Sequence, residues 1–136
     1  MDNRSKFYFE HIKSDIDEII ENRECNMNAL LDYKKNVELM NIFYGAGVQD
    51  RHDVLKALWK VASNITPEFA EDTKNSGFEI IIWKYIPLKE ILNELELNEE
   101  KFNIPNGNHS NNRIYLKFSY KPGILKCLSL HFSDYF

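Results

Sequence analysis

Four histidines, two cysteines and two runs of carboxylates are the residues of this chain whose types could support chemistry. The histidines are His11, His52, His109 and His131, and no two stand at the three-to-five spacing of neighbouring metal ligands. A catalytic zinc ion needs three protein ligands, so only the fold could assemble one here. Asp53 beside His52 reads as polarity on a helix surface. Cys25 and Cys127 form no CxxC pair. Cys127, Ser129 and His131 alternate along one expected strand, which would set them on a common face. A thiolate next to that imidazole could act as a nucleophile. The favoured reading is a buried structural thiol near an edge-strand histidine.

The carboxylates cluster at Asp15, Asp17, Glu18 and Glu21, and again at Glu94, Glu96, Glu99 and Glu100. Paired carboxylates do acid–base work when burial splits their pKa values. Both runs fall on expected exposed helical positions, where they stay ionised. Gly45-Ala46-Gly47 begins like a dinucleotide fingerprint, but Asp50 stands where the third glycine belongs and a helix pattern precedes it, where a strand is required. It reads as a helix stop. No GxxxxGK[ST] phosphate loop occurs. The expectation is a non-enzyme with no catalytic residue, no metal and no cofactor.

The elements that must position these residues follow from periodicity. Tyr8, Ile12, Ile16, Ile19 and Ile20 recur at helical spacing, so 5–22 reads as a helix with Ser5 as its cap. Leu30, Tyr33, Val37, Met40 and Tyr44 make a second ladder over 26–44, stopped by the glycines. Val54, Leu55, Leu58, Trp59 and Ala62 stripe a third helix over 50–63, with Asp50 as cap. Residues 64–77 read as a connector in which Thr66-Pro67-Glu68 opens a short helical turn. Phe78–Tyr85 is rich in isoleucine and aromatics and reads as a strand buried on both faces. Pro87 ends it and opens a helix striped by Leu88, Ile91, Leu92 and Leu95. After a polar loop over 103–112, Arg113–Tyr120 alternates with Ile114, Leu116, Phe118 and Tyr120 inward. Lys121-Pro122-Gly123 then turns the chain into a second strand, Ile124–Phe132. The expected fold is α+β, a single domain over 1–136. Its N-terminal helices pack on a small, mainly antiparallel sheet in the order α-α-α-β-α-β-β.

Composition agrees with a folded domain. The 136 residues are 43% hydrophobic and 28% charged, and 9 Phe with 7 Tyr supply a large packing payload. Lone cysteines suit a reducing compartment. No apolar core of a signal peptide appears, and the longest apolar run, Ile80-Ile81-Ile82-Trp83, is far short of a membrane helix. A soluble cytoplasmic protein with no membrane partner is expected. The net charge of −4 argues against a phosphate-backbone binder and permits a basic protein partner.

That charge is unevenly placed. Met1–Glu24 and Ile86–Lys101 each carry a net −3, whereas Arg113–Phe136 carries a net +3. An acidic surface steers a basic partner, and aromatic residues beside it would anchor the contact; Tyr33, Tyr44, Trp83 and Tyr85 are the candidates. Tyr115, Lys117 and Ser119 alternate outward on the basic hairpin, a thin stacking platform of the kind that binds single strands.

The segments Asp15-Ile16-Asp17-Glu18-Ile19-Ile20-Glu21 and Asn93-Glu94-Leu95-Glu96-Leu97-Asn98-Glu99-Glu100, within an Ile/Lys/Asn-biased chain, carry a resemblance. In general character the chain resembles the immunity proteins of bacterial contact-dependent inhibition and other polymorphic toxin systems, and small phage-encoded inhibitors share that style. Those families have no diagnostic motif, so no family site maps onto numbered residues. The resemblance implies stoichiometric binding and neutralisation of a cognate toxin, commonly a basic nuclease. The acidic face would be Asp15, Asp17, Glu18 and Glu21, or Glu94, Glu96, Glu99 and Glu100. The alternative is a regulatory or phage-derived binding module, including a weak nucleic-acid binder.

Overall fold

A computed structural model describes residues 3–98, 102 and 113–133. Five helices and four strands follow in the order α1 (Asn3–Glu21), α2 (Ala29–Asp32), α3 (Lys34–Gly45), α4 (Arg51–Ala62), β1 (Glu68–Glu71), β2 (Glu79–Pro87), α5 (Leu88–Glu94), β3 (Arg113–Lys121) and β4 (Ile124–Phe132). The strands form one antiparallel meander, β1-β2-β3-β4. This is the α+β class expected from the segregation of helical and alternating patterns.

The core lies between α1, α4 and one face of the sheet. Phe9 from α1, Trp59 from α4, Trp83 from β2 and Phe118 from β3 form an aromatic cluster with centroids 5.5–6.3 Å apart, mostly edge to face. That geometry sets positive ring edges against negative faces and adds about 1 kcal/mol per pair to the burial itself. Both indoles keep a polar partner. Trp59 Nε1 donates to Asp17 Oδ1 at 3.0 Å, and Trp83 Nε1 to the Ile65 carbonyl at 2.8 Å.

Several local expectations hold. Ile12, Ile16, Ile19 and Ile20 are buried along α1, and Val54, Leu55, Leu58, Trp59 and Ala62 along α4. Asp50 caps α4, its Oδ1 accepting the His52 N–H at 2.9 Å. Amides beyond α3 turn back onto its last carbonyls, Ala46 on Ile42 and Val48 on Phe43, and Gly47 takes the positive φ that such a stop requires. Pro122-Gly123 closes the β3–β4 hairpin, with Gly123 at φ +81°.

Other expectations are corrected. Ser5 lies inside α1, which starts at Asn3, so it is not the cap. The second helix is broken at Tyr33, whose ψ of 128° is extended. The face it buries is Asn36, Leu39, Met40 and Phe43, leaving Tyr33 and Tyr44 exposed. Leu30 and Met40 of the expected ladder are buried, and Asn36 joins them, bonded to β4. The connector contains β1 rather than a helical turn, since Glu68–Glu71 gain ladder partners from β2. β2 is buried on one face only. Ile81 and Trp83 are enclosed, while Ile80 and Ile82 are half-buried on the opposite face. The polar loop over 103–112 lies outside the described residues.

Both outer edges of the sheet are managed. β1 is short and carries Glu68 and Glu71. Along β4, the Asn26 backbone pairs with Leu125 and Cys127, and the Asn36 carboxamide bonds the Leu128 carbonyl and the Leu130 amide. Unpaired backbone groups at an edge invite pairing with another chain, and these two asparagines occupy them.

Candidate protein-binding groove

The two acidic segments, remote in sequence, meet across α4. Asp17 and Glu21 project from α1, Asp53 from α4, and Glu94 and Glu96 from the end of α5 around a groove of about 440 Å³. Its apolar floor is Ile20, Ala57, Trp59 and Leu95. Each carboxylate is placed by an apolar stripe on its own element. Ile16 and Ile20 fix the roll of α1, Leu55, Leu58 and Trp59 that of α4, and Ile91 with Leu92 that of α5. Glu96 takes a left-handed backbone, φ 56°, just past α5, which turns the chain back at the groove.

The groove is negative on balance. Lys56 reaches Glu21 at 3.5 Å and Lys60 reaches Glu94 at 3.4 Å, and both pairs are solvent-exposed. Exposed pairs of this kind are worth well under ~1 kcal/mol and open readily to an incoming cation. Five carboxylates face two ammonium groups, a net −3 over a small patch. An apolar floor ringed by charge is the composition of an interface core and rim.

Asp15 and Glu18 lie outside this groove. Asp15 does structural work on the opposite flank of α1, accepting from the Tyr120 hydroxyl at 2.5 Å and the Gly123 amide at 2.9 Å. Burial, then the neighbouring Asp15 carboxylate, raise the Tyr120 phenol above its ordinary range. Glu18 is exposed and does not line the groove. Glu99 and Glu100 lie outside the described residues. Asp53, expected as plain helix-surface polarity, belongs to the rim. Its signal was the spacing of Asp53, Lys56, Ala57 and Lys60 along one helical face. Of the expected aromatic anchors, Trp83 is core at 2% exposure, whereas Tyr33, Tyr44 and Tyr85 are exposed but none lines this groove.

The Cys127–His131 pairing does not form. An extra residue in β4, Leu128, sits opposite the Lys117–Phe118 step of β3, a β-bulge. The bulge inverts the alternation, so Cys127 pairs with Phe118 on the core face and His131 with Tyr115 on the other. His131 stacks on Tyr115 at 4.9 Å and 8°. Burial raises the Cys127 thiol well above its usual value, with nearby Cys25 adding to the effect, and burial pushes Cys25 up to about 12. Neither thiol has thiolate character at neutral pH. Among the described residues, no three His, Cys, Asp or Glu side chains come together as metal ligands, and no helix is long and apolar enough to cross a membrane.

The outward platform on β3 is also altered. Tyr115, Lys117 and Ser119 do share the face away from the core, but Ser119 is fully buried there. Its hydroxyl donates to Asp72 Oδ2 at 2.7 Å, which fastens the β1–β2 loop over the strand. Asp72 also accepts from the Lys74 and Asn75 amides and the Asn75 side chain. These donors, the Ser119 hydroxyl foremost, hold its carboxyl below the ordinary range.

No protein-family model matches the chain, and no curated protein or solved structure is significantly similar to it.

Proposed function

We propose that the protein is a stoichiometric inhibitor of the immunity type, which docks a basic surface of a cognate toxin in the α1–α4–α5 groove. The observation that carries this reading is the meeting of two acidic segments, far apart in the chain, around an apolar floor. Asp17 is held by the Trp59 indole, and Glu21 and Glu94 by exposed lysines, yet the groove keeps a net negative charge, and like charges gathered on one patch disfavour the free protein. A cationic partner relieves that repulsion, so part of the binding free energy is stored in the unbound state. The carboxylates steer the encounter, and Leu95, half-buried on the floor, offers the apolar contact.

Co-purification from native cells identifies the partner, and stopped-flow association then tests the groove. Glu21→Lys, Glu94→Lys and Glu96→Lys combined should slow association roughly tenfold or more at low salt, and the effect should shrink as salt rises. A stoichiometric partner whose association ignores all three reversals would place the interface elsewhere and sink this reading.

A further inference from the structure

On the other side of the molecule, a cleft of about 540 Å³ opens between the start of α3, the β1–β2 loop and the outer face of the sheet. Its charge is opposite to that of the groove. Lys34 and Lys35 enter from α3, Lys74 from the loop and Lys117 from β3, against Glu71 and Asp72. Asp72 is already saturated by the four donors that hold the loop, leaving Glu71 at the rim as the carboxylate with charge to spare. Elsewhere on the surface Lys13, Lys56, Lys60 and Lys84 each reach a carboxylate. Lys34, Lys74 and Lys117 form no ion pair among the described residues, although they come from three separate segments and share one cavity.

The remaining walls add shape and a ring. Ile80 and Leu128 make an apolar floor, and the Ser129 hydroxyl and His131 line one side. The β4 bulge brings Ser129 and His131 to this face. Tyr33, 63% exposed where the helix breaks, stands at the rim. The volume is typical of a small-molecule cleft. Lysines from three segments lining one cleft with an exposed aromatic ring match a ligand that joins a phosphate to a flat heterocycle.

We infer that this cleft binds a nucleotide, its phosphate between Lys34, Lys74 and Lys117 and its base against Tyr33. The same chemistry is offered by a free nucleotide and by a nucleotide within a single strand. It is a second site, on a different face from the acidic groove, and does not depend on that groove having a partner.

The test is calorimetric titration of the full chain with adenosine monophosphate, inorganic phosphate and a short single-stranded oligonucleotide. Adenosine monophosphate should bind at one site per chain, and more tightly than inorganic phosphate. Lys34→Glu and Lys117→Glu should each weaken binding by about tenfold. Tyr33→Ala should bring adenosine monophosphate down to the affinity of phosphate, and Glu94→Lys in the opposite groove should leave it unchanged. Tighter binding of the oligonucleotide with the same lysine dependence keeps the site and makes the strand its source; tighter binding of the mononucleotide makes it the free form. Should a Glu variant fail to fold, as read by its thermal melt, Lys34→Met and Lys117→Met replace it. No saturable binding of either nucleotide form, or binding indifferent to both lysines, would overturn the inference.

Discussion

Asn36 is the side chain on which the joint between helices and sheet can be tested most sharply. It is 1% exposed, and its carboxamide makes three hydrogen bonds. Nδ2 donates to the Ala29 carbonyl at 3.0 Å and the Leu128 carbonyl at 3.1 Å, and Oδ1 accepts the Leu130 amide at 3.0 Å. Those bonds tie α2 to α3 and both to β4 at its bulge. Each is worth about 1 kcal/mol net, and stranding the enclosed Leu130 amide adds at least ~1 kcal/mol. Asn36→Ala should therefore lose about 4 kcal/mol. With a urea slope of roughly 1.5 kcal/mol/M, the unfolding midpoint should fall by nearly 3 M. Asn36→Leu restores the volume but not the bonds, so it should remain destabilised by a similar amount. Equilibrium urea unfolding followed by tryptophan fluorescence reads both, since Trp59 and Trp83 sit in the core. If Asn36→Leu unfolds within ~1 kcal/mol of the parent, packing rather than hydrogen bonding holds this joint, and the reasoning fails.

Three further outcomes are expected. Burial, with Arg23 nearby, lowers the His52 imidazole below its ordinary value of 6.5, so the unfolded chain takes up the proton first and stability should fall as pH drops below that value. His52→Gln should flatten this step in melts recorded across that range, and an unchanged profile would assign the acid sensitivity to other groups. Gly123 holds φ +81° at the hairpin turn, so Gly123→Ala should cost roughly 1 kcal/mol in chemical denaturation, although the space for a methyl group is open. Cys25 and Cys127 should resist a thiol reagent in the native state and react fully in denaturant; rapid labelling of either at neutral pH would contradict their burial.

The sequence by itself determined the element types wherever a periodic stripe met a strong terminus. Helix α4 is the clearest case. Its stripe, its Asp50 cap and its ends are all set by residues within one or two turns, and the physics involved is local. The β3–β4 hairpin follows for the same reason, from alternation on either side of Pro122-Gly123. The uneven charge was equally legible, since a run of carboxylates is a property of the chain.

Only the tertiary structure decided how these pieces face one another. The ladder through Tyr33 and Tyr44 is regular, yet α3 turns a different side inward, because Asn36 gains three buried bonds by doing so. β1 has too little pattern to announce itself and exists because β2 offers it a ladder. Leu128, one extra residue in β4, separates Cys127 from His131 and turns Ser129 and His131 toward the lysine-lined cleft. α4, laid between α1 and α5, collects Asp17, Glu21, Asp53, Glu94 and Glu96 around one groove while the hairpin claims Asp15. Local periodicity fixes which side of an element is apolar, but a bulge or a docking asparagine acts through partners distant in sequence. The faces that carry both proposed sites are set by those long-range contacts.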